Sequence, residues 1–203
     1  MDAKLDAQAT TKAGSISRAH ADASATPRAA DVSPGALGDA RLLLLGVWLG
    51  AAMFFSFAVA PSAFIVLPAR ELAGAIVTRT IGIVNVGGVV IGLLLLATAF
   101  AGRGAAKRRA WVLEVCALAL LTAATGAGHW IIGARMQSLR LSMGRPIDEL
   151  AESDPLRHAF NALHGYSVAA MTAAMLAGLV AFILIARRNR NVKSQVSSLK
   201  SQV

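Results

Sequence analysis

Residues Arg41–Gly74 read RLLLLGVWLGAAMFFSFAVAPSAFIVLPARELAG, and within them Leu42–Leu67 runs 26 residues without a charged side chain. At ~1.5 Å per helical residue such a run exceeds the ~30 Å hydrocarbon core of a bilayer. It reads as a membrane span that must tilt or bend, and Pro61, which has no backbone N–H, is the expected bend. Gly46 and Gly50 form a GxxxG pair beside Ala51 and Ala52, a signal for close approach of a second helix. Trp48 is read as an ordinary large side chain of the span. Pro68 suits the first turn of a new helix, and Pro68–Arg79 carries Leu72, Ala75, Ile76 and Arg79 at helical spacing. A short amphipathic helix at the interface is predicted there, able to run directly into the next span.

Composition points the same way. Hydrophobic residues make up 56% of the 203 and charged residues 15%, and the mean hydropathy is +0.59, on the membrane side of the globular range. A formal charge of +9 raises nucleic acid as a partner, yet the Lys and Arg residues gather at the ends of apolar stretches. They are read as topological anchors, which leaves the lipid bilayer as the partner and no nucleic acid. The single cysteine, Cys116, lies in an apolar run and offers neither a disulfide framework nor a cysteine metal site. It is expected to be a small buried residue.

Residues 1–40 mix Lys4, Lys12, Arg18 and Arg28 with Asp2, Asp6, Asp22, Asp31 and Asp39 and hold almost no large apolar side chain. They read as a disordered, nearly neutral cytoplasmic tail. Ala58-Val59-Ala60 resembles a signal-peptidase site, but the apolar run continues past it and Pro61 would follow the cut, so the span is expected to stay uncleaved. The second span is Thr80–Ala101, with Gly88 and Gly92 at small-residue spacing. Gly102–Ala110 carries Arg103, Lys107, Arg108 and Arg109 with no acid, which places that loop in the cytoplasm. A third span covers Trp111–Ala134. After the outer loop Arg135–Ser153, Asp154 reads as a helix cap and Pro155 as the first turn of a long last helix ending near Arg187. Ala169, Ala173, Ala177 and Ala181 form a small-residue stripe along it. Residues 188–203 read as a flexible basic cytoplasmic tail near anionic lipid.

Polar side chains inside the spans are the candidates for function. Glu114 sits one turn in from the basic loop, where a carboxylate reaches water or pairs with Arg109, Arg41 or Arg187; an interfacial ion pair and a proton or substrate carboxylate are its two readings. Asn85, His129, His164 and Ser167 all fall in the outer half of the membrane. Interhelical hydrogen bonding, a polar substrate or proton path, and metal or haem ligation are the three uses open to that set. The chain lacks an HxxxH pair on a span and a matched second pair of histidines, so no catalytic, cofactor or metal ligand is assigned.

The WLGAAMFFSFAVAPSAF stretch, followed by LPARELAGAIV and, far downstream, by LRHAFNALHGYSV, resembles the bacterial branch of the domain of unknown function 4149 family, which includes eukaryotic transmembrane protein 205. The resemblance covers about residues 41–187. Trp48, Gly50, Phe57, Pro61, Phe64, Gly74, Phe160, His164 and Ser167 are the matching positions. It implies a four-helix integral membrane protein of unsettled biochemical role, with transport or drug-resistance links suggested for eukaryotic members. It supplies no catalytic residue.

The expected fold is all-α: a polytopic membrane protein built as a bundle of four transmembrane helices at about 42–67, 80–101, 111–134 and 159–186, forming one membrane domain over 41–187. It is expected in the inner (plasma) membrane of a bacterial cell, with both termini cytoplasmic. Three function classes stay open. The first is a non-enzymatic structural or accessory protein, homo-oligomeric through its small-residue faces. The second is a transport or permeability component for a small solute or metal ion, and the third is a haem-binding redox protein using His129 and His164.

Overall fold

In hydrocarbon every backbone N–H and C=O must be satisfied within its own segment, and the chain meets this with helices. The computed structural model describes residues 34–101, 108–144 and 147–200, and no strand occurs among them. Of the tail expected to be disordered over 1–40, residues 1–33 lie outside the described residues, as do Arg103 and Lys107, whereas residues 34–40 are helical, continuous with the first apolar run. Helix α1 (Pro34–Phe54) passes through a π-helical turn, Phe55–Val59, into α2 (Ala60–Val66). Next come α3 (Arg70–Ala101) and α4 (Arg108–Gly126), the latter continued by a π-helical segment, Ala127–Gly133, into α5 (Ala134–Met143). A 3-10 turn, Ile147–Glu149, leads to α6 (Pro155–Lys200). Four of the resulting stretches are long and apolar enough to cross a membrane: Ala36–Val66, Arg70–Ala101, Arg108–Met143 and Pro155–Gln195.

Local chemistry explains the breaks. At Pro61, where a bend is expected, the structure shows a π-helical turn just upstream: the Ala60 N–H bonds to Phe55 O and the helix widens by one residue before the proline. Leu67 then leaves the helix at φ −80°, ψ 135°, the extended conformation that a residue preceding proline prefers. Helix α5 stops at Gly144, which adopts φ 62°, a left-handed geometry that glycine takes without steric cost. Helix α6 starts as its sequence indicates, with Asp154 Oδ1 accepting the Leu156 N–H at 2.8 Å.

The helices outrun the predicted spans at most of their ends. The stretch expected as a short interfacial helix able to run into the second span does so, forming the first turns of α3, which is continuous to Ala101. The tail expected to be flexible is helical through Lys200. Hydropathy marks the uncharged part of a helix, whereas charged helix-formers in the flanks extend it. Cys116, expected buried, is exposed on α4, on the outside of the bundle where lipid would be its neighbour.

Helix α4 packs along both α3 and α6, and α1 closes the ring from the other side. The Trp48 indole N–H donates to the Val84 carbonyl of α3 at 2.9 Å. Its ring also approaches Gly88 of α3 and Gly178 of α6. The interior is small or aliphatic, with Leu45, Ala52, Leu118, Leu121, Ala174 and Ala181 fully buried. Large apolar side chains such as Leu43, Phe57 and Ile65 point outward. That inversion suits a bilayer, where helices associate by close van der Waals contact rather than by hiding apolar surface from water.

Gly88 tests this packing. A Cβ there would lie 2.6 Å from Thr125 Cγ2 and 2.9 Å from Trp48 Nε1, both on buried side chains, whereas a Cβ on Gly165 meets nothing within 4 Å. Gly88→Ala is expected to cost about 1–3 kcal/mol of stability in detergent. Gly165→Ala is expected to be neutral or to gain roughly 0.5–1 kcal/mol from helix propensity. Thermal unfolding followed by circular dichroism separates the two.

Candidate functional site

A carboxylate inside a helical bundle needs a cation, and Glu114 is only 2% exposed. Arg41, which precedes the first apolar run on α1, places Nη2 at 2.5 Å from Glu114 Oε1. The same Nη2 also donates to the Leu95 carbonyl of α3 at 3.3 Å. Arg188 of α6 stands 3.7 Å from the other carboxylate oxygen. One acid thus gathers residues from all four long helical segments: α1, α3, α4 and α6. Arg41 is itself buried at 6% exposure, and its Nε has no hydrogen-bond partner among the described residues. Nearer the surface, Lys193 Nζ contacts both Asp39 carboxylate oxygens at 3.0 Å, and Asn189 donates to the same carboxylate at 3.3 Å.

Of the partners that sequence offers Glu114, the structure selects Arg41. Arg188 is the partner that sequence misses, because the expected membrane domain ends at 187 and assigns it to the tail. The available signal was depth: Arg41 and Arg188 flank the ends of two spans on the side where Glu114 begins the third. The indole of Trp48 is the second omission. Its bond to Val84 ties α1 to α3 at mid-bundle, where sequence shows only a large apolar residue.

In the half of the bundle away from the basic helix ends, Asn85 is buried at 4% exposure and packs against Gly128, whose Cβ position would be 3.1 Å from Asn85 Nδ2. His129 follows in the π-helical segment. Its ring meets Trp130 edge-on, with centroids 4.9 Å apart, and lies 3.8 Å from where a Gly82 Cβ would stand. Asn85 and His129 therefore share the α3 contact of the π-helical segment. His164 is exposed and Ser167 half-buried on α6. No hydrogen bond or ring contact among the described residues joins either of them to Asn85 or His129. Arg140 of α5 forms a separate contact set above them, donating to Thr78 Oγ1 at 3.1 Å and lying 5.4 Å from the Phe160 ring centroid. Among the described residues no group of three or more His, Cys, Asp and Glu side chains is placed to hold a metal ion.

The family model for a domain of unknown function, DUF4149, matches residues 43–145. The chain belongs to this family. The DUF4149 match takes in Trp48, Asn85, Glu114 and His129 and ends before α6, so that Arg188, His164 and Ser167 lie outside the matched residues. No curated protein and no solved structure matches the chain.

The charge cluster makes a sharp energetic prediction. Glu114→Gln leaves the Arg41 guanidinium buried without its counter-charge and is expected to cost on the order of 3–5 kcal/mol. Replacing both, as R41M/E114L, is expected to recover most of that loss. Asp39→Asn removes a pair whose side chains are 54% and 59% exposed and is expected to cost about 1 kcal/mol or less. Unfolding of the purified protein in detergent measures all three, and equal losses for E114Q and D39N would overturn the assignment.

Proposed function

We propose that this DUF4149 protein is a non-enzymatic structural or accessory component of a bacterial plasma membrane, acting as a homo-oligomer. The observation that carries the reading is where its intramembrane polar groups go. Glu114 is bound by Arg41 and the Trp48 indole by Val84, while the hydroxyls of Thr122 and Thr125 return to carbonyls of their own helix. These groups hold helix to helix, or stay within a helix, rather than lining a path.

The outward face of α1 supplies the contact for a second copy. Gly46 is occupied within the chain by Phe182, 3.4 Å from its Cβ position, but Gly50 meets nothing within 4 Å. Leu43, Val47 and Phe54 lie exposed along the same side of the helix, giving an apolar seam with a glycine at its middle. Both termini are proposed to be cytoplasmic. Arg108 and Arg109 at the start of α4 and Arg187, Arg188, Arg190 and Lys193 at the end of α6 form one strongly basic side.

Two experiments test this. In a Cys116→Ser background, Gly50→Cys is expected to form a disulfide-linked dimer in the membrane on mild oxidation. A monomeric mass by light scattering together with no cross-link would remove the homo-oligomer. For topology, a green fluorescent fusion at Val203 is expected to fluoresce, and alkaline phosphatase inserted near Gly144 is expected to be active. The opposite pattern would invert the orientation.

A further inference from the structure

An open groove of about 580 Å³ runs down α3 beside the π-helical segment, with Arg79 at its mouth, Gly82 and Gly87 in its floor, and Ile83, Val86 and His129 along it. Its volume is within the ~300–1,000 Å³ typical of small-molecule clefts. We propose that this groove binds one anionic phospholipid: phosphate on Arg79, ester carbonyl on His129, and acyl chain over the glycine floor.

The order of groups along the groove matches the order of groups along such a lipid. Arg79 is exposed, and its long stem lets the guanidinium reach the headgroup layer. Arg140 of α5 bonds Thr78, which also lines the groove, and Glu71 acts on the Arg140 charge, so Arg79 itself supplies the cation at the mouth. Gly82 lies about 4.5 Å deeper along the axis and Val86 about 10.5 Å deeper, at ~1.5 Å per residue. At the Gly82 level stands the His129 imidazole, 3.8 Å from the Cβ position of that glycine. Among the described residues it makes an edge contact with Trp130 and no hydrogen bond. A half-buried imidazole at membrane depth needs a polar partner, and the ester carbonyl of a lipid is an acceptor at that depth. Below it the groove is apolar, with Ile83 at 68% exposure and Val86 at 38%. Gly82 and Gly87 line it without side chains of their own, with the His129 and Trp48 rings 3.8 Å from their respective Cβ positions, so a methylene chain would lie on backbone between rings. A free phosphate ion would satisfy the mouth alone and leave the imidazole and the floor uncovered.

Trp130, in edge contact with His129, reports on occupancy. The full-length protein is reconstituted in vesicles of equal parts phosphatidylglycerol and phosphatidylcholine, with brominated chains on one lipid and then on the other. Quenching of Trp130 emission is taken as the difference between the protein and its W130F variant. The relative association constant is expected to favour phosphatidylglycerol by about fivefold, the contribution of one arginine beside an anionic lipid. R79Q and G82L, each checked for retained helicity, are expected to bring the ratio to unity, and inorganic phosphate is expected to leave it unchanged. A ratio of unity in the unaltered protein would overturn the proposal whether or not the variants fold. A preference that survives R79Q would overturn it too, and loss of the preference on adding inorganic phosphate would mark a free-anion site instead.

Discussion

An ionised carboxylate is tolerated in an apolar bundle only against a cation held by further bonds, and the demand of Glu114 for that cation organises the half of this molecule that carries the basic helix ends. Arg41 has to sit at the depth of Glu114, which sets how far α1 enters the bundle and which way it is rotated. Because the same guanidinium also bonds Leu95, α3 is held in the same plane. Arg188 closes the group from α6. The surface pair of Asp39 and Lys193 extends this arrangement outward, but in water it adds far less than the buried contacts do.

Beyond that charge cluster, cohesion rests on backbone approach. Glycines at 88 and 178 receive the Trp48 ring, and alanines at 52, 117, 174 and 181 let neighbouring helices come close. Where proline denies α1 a regular turn, one π-helical turn absorbs the disruption within the helix, so that the backbone stays bonded through the membrane. The half away from the charge cluster is looser. Past that turn, α2 contributes no buried residue, and the polar side chains of the region are spread over several faces.

The architecture was legible because it depends on composition and length. Uncharged runs, Asp154 and the small-residue spacing at Gly88 and Gly92 each act locally, and each has its expected counterpart in the structure. What was hidden depends on azimuth, the rotation of each helix about its axis. Azimuth decides that Gly46 is filled while its GxxxG partner Gly50 is open, that Trp48 points inward, and that Cys116 points out. Asn85 could be expected to face another helix, but its contact with Gly128 depends on a π-helical segment that carries no proline signal. The placement of His164 and Ser167 away from any contact with His129 is set by the same rotation. Helix ends were misjudged for a different reason: hydropathy measures lipid compatibility, and helix continuity does not stop where lipid compatibility does.

That last point gives α6 a mechanical character. Its 46 residues at ~1.5 Å each make a rod about 69 Å long, more than twice the ~30 Å hydrocarbon thickness, with no break between its Asp154 cap and its basic end. The rod is held along its middle, where Met171, Ala174, Ala181 and Ile185 are buried in the core, and at its basic end by the ion pairs of Arg188 and Lys193. The turns bearing Phe160 and His164 contribute no buried side chain. A single element of secondary structure thus joins a tightly held end to a loosely held one.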